Sequence, residues 1–476
     1  MRKILSRFFS VAAMAEKLEK KGEIPSSKDA YTRLSVIGIP SVVEMVFMSL
    51  IGSVDTMMIG KLGFEAIAAV GLAGQPRMLT LSLFFALNVG ITAVVARRKG
   101  EGKRDEANRA LKNALMLCLS LSVVVTALSL WLSGPLLLLA GAKEETIGMA
   151  TSYFRILTYF LPISCATMCI NAAQRGTGNT RVTLYVNIAA NLTNVVFNYL
   201  LIYGKFGFPE MGVEGAAWAS GIGLSVGLVL CVASLFQRKI GGGFLSMSFK
   251  DNWRFSREAM ASITKVGGNA MVEQIALRVG FFAYAAIVAN LGTESFAAHQ
   301  VGMQFLGLSF TFGDGLAVAG TSLVGQMLGQ GRPDLAAIYA KCSQRLAFCA
   351  SLLIASVVII FRYPLVGIFL DASKPENAVP IAIAAQIMIL VAAFQPVQMQ
   401  SVVSSGCLRG AGDNLYVALV MIICVVMIRP VFSLLAINVV GLGLAGAWSA
   451  SLVDMCIRLS LMLRRMKGTA WLTKKV

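Results

Sequence analysis

One histidine in 476 residues leaves little room for imidazole chemistry. His299 stands alone near the start of an apolar block, where a scaffold hydrogen bond is the commoner role, and a zinc site has no set of ligands to draw on. The nine cysteines do not supply one. They are scattered, mostly inside apolar blocks, and Cys165 and Cys169, one helical turn apart, have no second pair, so they read as small packing residues. No Gly-rich phosphate loop of the GxxxxGK[ST] kind occurs, and the polar remainder is too short for a nucleotide-binding domain. This excludes hydrolysis of a nucleotide as the energy source and leaves an ion gradient or the substrate's own gradient; no cofactor and no enzymatic chemistry are expected. Charge is scarce too. At 14% charged, 57% apolar and a mean hydropathy of +0.73, the chain is not a soluble globular protein.

What is present is apolar length. The chain divides into twelve blocks, each able to supply the ~20 residues that cross a bilayer core. The net charge of +18 suggests nucleic acid until its distribution is read. Most Lys and Arg lie in the termini and the even-numbered connections, in clusters such as Arg97-Arg98-Lys99 and Arg464-Arg465. That bias places both termini and the connector 239–261 on the cytoplasmic side, and a basic rim facing anionic lipid accounts for the charge without a nucleic-acid partner. Residues 1–33 form a polar, basic tail whose apolar patch around Phe8, Phe9 and Val11 is broken by Arg7. The tail does not read as a secretory signal; an interfacial helix and a disordered segment are both open.

Much of the chain is written twice. Leu62-Gly63, Glu65, Ala68 and Ala69 recur as Leu291-Gly292, Glu294, Ala297 and Ala298. Thr92, Gly100, Gly102 and Asp105 recur as Thr321, Gly329, Gly331 and Asp334, always 229 residues on. Further along, Arg175-Gly176-Thr177-Gly178-Asn179 returns as Arg409-Gly410-Ala411-Gly412-Asp413. Two fused homologous halves follow: a first lobe over 34–238 and a second over 262–466, joined by the cytoplasmic loop 239–261 and followed by a tail over 467–476. The fold class is an all-α integral membrane protein of twelve transmembrane helices in two pseudo-symmetric six-helix lobes.

Within those blocks, ionisable and amide side chains mark the sites. Glu44 and Asp55 lie eleven positions apart, about 20° round a helix and roughly 16 Å along it, so one face carries two carboxylates at two depths. A carboxylate at bilayer depth costs at least ~2.5 kcal/mol and so faces protein or water, as a functional group or as a bond to a neighbouring helix. Glu44 falls on Glu273 in the 229-residue register, whereas Asp55 falls on Tyr284. The two glutamates are expected to occupy equivalent desolvated places. Asn187, Asn191, Asn194 and Asn198 follow spacings of 4, 3 and 4, forming a carboxamide stripe that can tie helices together, line a wet cavity or coordinate a cation. Glu273 and Arg278, about 140° apart, are not an automatic ion pair. Arg429 and Asp454 can form an interhelical pair. Gly215-Ala216-Ala217 are small enough for close helix approach.

At this point the segments Pro40 through Asp55 to Gly63, Val324 to Gly331, the two Arg-Gly-x-Gly repeats and Asn194 to Trp218 resemble the multidrug and toxic compound extrusion (MATE) family over about residues 34–466. The resemblance implies six-helix lobes around a V-shaped central cleft and export of organic cations in exchange for Na⁺ or H⁺. It implies Asp55 as the helix-1 aspartate of DinF-like members, with Asn194 and Asn198 beside it, possible Na⁺ ligands, and Ala216 and Ser220 on the sixth helix. Asn198 stands where those members carry an acid. It also implies Glu273 as the coupling glutamate of NorM-like members, although no acid stands near Gln395 to Gln398. The expected function is therefore secondary active efflux of organic cations or amphiphiles from a prokaryotic cytoplasmic membrane by a monomer, with Asp55, Glu273, Glu44 and the asparagines as site residues. The alternative within the same superfamily is a flippase for lipid-linked oligosaccharide. Its anionic cargo calls for several basic residues within the spans, where this chain has only Arg77, Arg155, Arg278 and Arg429.

Overall fold

The computed structural model describes residues 7–16, 18–236, 243–247, 253, 255–367 and 378–474. Every regular element among them is helical. After a short α1 (Val11–Ala15) come α2 (Ser27–Gly60), α3 (Phe64–Gly100), α4 (Arg104–Trp131), α5 (Ser133–Leu139), α6 (Glu144–Tyr159), α7 (Leu161–Gly176), α8 (Thr180–Tyr203) and α9 (Gly212–Phe236). The second half repeats the plan as α10 (Arg257–Ala289), α11 (Thr293–Gly329), α12 (Pro333–Ile360), α13 (Arg362–Gly367), α14 (Ala378–Ala411), α15 (Asn414–Met421), α16 (Arg429–Asn438) and α17 (Gly443–Lys467). Ten of these helices, and an eleventh span over Asn414–Asn438 made of α15, α16 and the stretch between them, are long and apolar enough to cross a membrane; α6 and α7 taken as one broken span make a twelfth.

Proline explains the breaks. α6 and α7 meet at 51° just before Pro162, which has no N–H to offer the carbonyl of Thr158; the Thr126 hydroxyl donates to that oxygen instead, at 3.4 Å. Between α15 and α16 the chain widens into a π-helical stretch, Ile422–Ile428, immediately before Arg429-Pro430, where the proline ring cannot fit a regular preceding turn.

The chain forms two compact units, residues 1–42 with 272–476 and residues 43–271. The divisions fall inside α2 and α10, and they fall at the same place in the 229-residue register. Each lobe expected from the repeats thus keeps the second half of its own first helix and takes the first half of the other's. The register matches the packing that results. Gly38 of α2 lies against Ala319 of α11, and its counterpart Gly267 of α10 lies against Ala86 and Leu87 of α3. The N-terminal segment is docked, not free: Val11, Met14 and Ala15 are buried with Ile338 and Cys342 of α12. Lys341 Nζ donates to Met14 O at 3.2 Å, and Lys21 N donates to Asp334 Oδ2 at 3.2 Å. α2 begins at Ser27, shortening the tail expected over 1–33.

The Arg-Gly-x-Gly repeats have a packing reason. A Cβ built on Gly176 would lie 2.7 Å from Thr92 O, and one on Gly410 would lie 2.2 Å from Thr321 O. The Thr92 hydroxyl reaches Ala172 O at 3.0 Å and the Thr321 hydroxyl reaches Gly406 O at 2.8 Å, so each repeat locks two helices by the same contact. Two residues on, Gly178 and Gly412 take φ of 76° and 90° and close their helices with left-handed caps. In α9, Gly215 packs on the backbone of Leu201 in α8, as the run of small residues suggested.

Gly176→Ala and Gly410→Ala are each expected to destabilise the detergent-purified protein by ~1–3 kcal/mol through overpacking. Gly71→Ala, where an added Cβ meets nothing within 4 Å, should leave the thermal midpoint unchanged or raise it. An equal response at all three positions would show that the helix interlock does not limit stability.

Candidate functional site

In the unit 43–271, Glu44 is 1% exposed yet fully engaged. Its carboxylate pairs with Nη2 of Arg175, whose Arg-Gly-Thr-Gly-Asn motif ends α7, and accepts from Thr183 Oγ1 at 2.8 Å and from Asn187 Nδ2 at 2.6 Å. One residue of the stripe is thereby accounted for as a donor to a neighbouring helix. Asn191 turns back onto its own helix, donating to Asn187 O at 2.7 Å.

The other two asparagines do something different. Asn198 Nδ2 donates to Asp55 Oδ1 at 2.8 Å. The orientation of the Asn194 amide follows from its surroundings: with nitrogen toward the carboxylate it donates to Asp55 at 2.9 and 3.1 Å, and its oxygen accepts from Ser220 Oγ and N, both at 3.1 Å. Asp55, Asn194, Asn198 and Ser220 therefore form one cluster drawn from α2, α8 and α9. Asp55 itself is half-buried, and among the described residues no Lys or Arg lies within ion-pair distance of it. Asn198 is 1% exposed and its Oδ1 has no hydrogen-bond partner, which leaves an unused oxygen acceptor beside an ionisable carboxyl. Ala216, expected with this group, is buried in the neighbouring apolar cluster with Ile59, Ala69 and Leu157.

The unit containing 272–476 repeats the first arrangement and replaces the second. Glu273, also 1% exposed, pairs with Nη2 of Arg409, the equivalent of Arg175 in the repeated motif. At the register position of Asp55, Tyr284 packs edge-on against His299, with ring centroids 5.4 Å apart, and lies 5.6 Å from the Arg429 guanidinium. Arg429 makes the expected pair with Asp454, at 2.7 and 2.9 Å, and Arg458 adds a contact at 3.6 Å. His299 is buried between Tyr284 and Trp448 as a packed ring, and its Nδ1 has no hydrogen-bond partner among the described residues, so the scaffold hydrogen bond expected of it is not made at that nitrogen.

Sequence reasoning missed Arg175 and Arg409 as the partners of the two glutamates. The signal was available: the arginines recur in the repeated Arg-Gly-x-Gly motif as the glutamates recur in the first helices, although the motif lies 234 residues on and not 229, and a buried acid kept in a duplication calls for a duplicated base. Pairing means that each glutamate is held as half of an ion pair and not as an isolated desolvated acid.

Residues 40–200 and 270–435 match the MatE family, and the chain belongs to it; it is a multi-pass membrane transporter of the MATE class. It is 26% identical over 454 residues to a probable multidrug resistance protein NorM of Thermotoga maritima, covering 95% of this chain and 94% of that one. It is also 25% identical to the uncharacterized transporter YisQ of Bacillus subtilis, covering 91% and 94%. The fold matches a structure described as the outward-facing conformation of a MATE family multidrug resistance transporter, with a TM-score of 0.85 at 22% identity over 93% and 96% of the two chains. A superfamily transporter from Pyrococcus furiosus matches with a TM-score of 0.86 at 21% identity over 94% and 97%.

Removing one partner of a buried pair strands the other charge, so Arg409→Gln is expected to cost on the order of 3–5 kcal/mol of stability. Glu273→Gln/Arg409→Gln should recover much of that loss. Thermal unfolding of the two single variants and the double variant measures the coupling; strictly additive losses would mean that the pair does not act as a unit.

Proposed function

We propose that this chain is a cation-coupled efflux transporter, exporting organic cations or amphiphiles in exchange for Na⁺ or H⁺ across a prokaryotic cytoplasmic membrane, with both termini inside. The observation that carries the reading is how the acids of the first helix of each half are partnered. Glu44 and Glu273 already have an arginine each, whereas Asp55 is held only by neutral amide donors and has a free carbonyl oxygen next to it. An ionised carboxylate in a low-dielectric surrounding is stabilised by whichever cation reaches it, so substrate, Na⁺ and H⁺ compete for the same charge. Asn198 Oδ1 and the Asp55 carboxylate offer hard oxygen ligands to Na⁺, and Ser220 fixes the amide that orients the carboxylate. Antiport follows if the coupling ion and the substrate favour opposite states of a two-state rocker.

Glu273 and Glu44 take a secondary place, since each would have to exchange its arginine for the incoming cation. Support for drug-like cargo comes from relatives named as multidrug resistance proteins, among them PmpM of Pseudomonas aeruginosa, 28% identical over 382 residues. The flippase alternative is disfavoured by the basic side chains themselves: Arg409 and Arg429 are each committed to a carboxylate and not offered to an anionic cargo.

Asp55→Asn should lower substrate efflux at least about tenfold in proteoliposomes, with Na⁺ and H⁺ gradients imposed separately, at an unchanged thermal midpoint; tenfold corresponds to ~1.4 kcal/mol. If Na⁺ is the coupling ion, added Na⁺ should raise the midpoint of the wild type but not of the variant. Near-normal efflux from well-folded Asp55→Asn would remove Asp55 from the mechanism.

A further inference from the structure

The connector between the halves is fastened to the helices of the unit 43–271 at several of its described residues. Arg104 donates through Nε to Phe244 O at 2.9 Å and through Nη2 to Ser246 Oγ at 3.0 Å. Ser246 N donates to Asn108 Oδ1 at 3.0 Å, Met247 N to Leu235 O at 3.1 Å, and Ser256 N to Asn113 Oδ1 at 2.8 Å. Beneath this strap a cavity of about 430 Å³ opens on the flank of the unit. Leu115 and Leu119 of α4, Ala166 and Ile170 of α7 and Val232 of α9 line it, while Met247 and Trp253 of the connector complete its wall. Along α9 the lining runs from Leu228 to Phe236, roughly 12 Å of helix. Leu119, Val232, Phe236 and Trp253 remain 40%, 37%, 38% and 46% exposed. None of these residues belongs to the Asp55 cluster or to the glutamate pairs.

We infer that this groove is a phospholipid site, which takes one acyl chain of an anionic phospholipid from the leaflet on the basic side of the protein. Three features identify the occupant. The lining side chains are all apolar, so a hydrated ligand gains nothing there, whereas an alkyl chain exchanges lipid contacts for fixed ones. The groove lies along membrane-spanning helices and opens on their exposed flank, where the surrounding solvent is lipid. Its connector end carries interfacial chemistry: Trp253, whose amphipathic ring suits the headgroup level, and Lys112, on the face of α4 shared with Leu115 and Leu119 at spacings of three and seven. A cation at that level selects an anionic headgroup. Because the wall includes the connector that joins the two halves, the lipid bridges membrane helices and linker. This site stands apart from the transport reading, and either can fail alone.

Native mass spectrometry of the purified full chain, incubated with phosphatidylglycerol or phosphatidylcholine, tests the assignment. The wild type is expected to hold one phosphatidylglycerol at collision energies that strip phosphatidylcholine. Val232→Trp, which fills the groove from an exposed position, should lose the bound lipid at an unchanged thermal midpoint. Trp253→Ala, which opens the wall without touching a helix, should lose it as well and serves if the first variant misfolds. Lys112→Gln should keep a bound chain but lose about fivefold of the preference for the anionic headgroup. Equal lipid retention by the wild type and both groove variants would overturn the site. Headgroup-independent retention by the wild type, or detergent held in place of lipid, would overturn its assignment to an anionic phospholipid.

Discussion

A carboxylate placed inside a membrane helix must be either neutralised by a cation or held by polar groups, and this molecule is arranged around where each of these happens. Each half buries one glutamate just after the point where its first helix passes from one compact unit to the other. In each half the neutralising arginine comes from the Arg-Gly-x-Gly motif at the end of the matching helix. The glycine that follows each arginine packs its helix on a threonine backbone of α3 or α11, the helix next in sequence to the one that carries the glutamate. Charge neutralisation, helix interlock and left-handed cap are thus packed into five residues, of which the arginine and the two glycines that do this work are the same in both halves.

The halves then part company about three turns further along the same helices. One carries Asp55 among asparagines; the other carries Tyr284 beside His299, with Arg429, Asp454 and Arg458 close by. In the second unit the acid near that level is itself paired with arginine, so the charge is closed internally. In the first, the carboxylate is supported only by dipoles. A carboxylate that dipoles orient but do not neutralise keeps an affinity for a cation, and in the function proposed above this difference separates the coupling site from a structural ion pair.

A good deal of this was legible beforehand. The twelve apolar blocks, the duplication and the pairing of Arg429 with Asp454 could be read from the chain because they rest on local composition, register and opposite charge. The close approach announced by Gly215-Ala216-Ala217 was readable for the same reason: the absence of side-chain bulk is a local property. The stripe from Asn187 to Asn198 was readable only as a stripe. Its four members share a helix face, yet one serves Glu44, one its own backbone and two Asp55, because what each amide meets depends on neighbouring helices more than a hundred residues away in sequence. The docking of Val11 and Met14 against α12 escaped notice likewise, since a short apolar patch looks the same whether it lies on a membrane or in a protein groove.

The sequence by itself determined an all-helical membrane chain of two homologous halves with acids at defined depths, because hydrophobic length and a 229-residue register are properties of the string. Tertiary structure alone decided which of those acids is already satisfied. Neutralisation depends on the distance from carboxylate to guanidinium across helices, and periodicity along one helix does not contain that distance. Tertiary structure alone also decided that α2 and α10 each serve both units, since the division falls within continuous helices: Pro40 and Gly267-Gly268 stand just before it, but neither ends its helix.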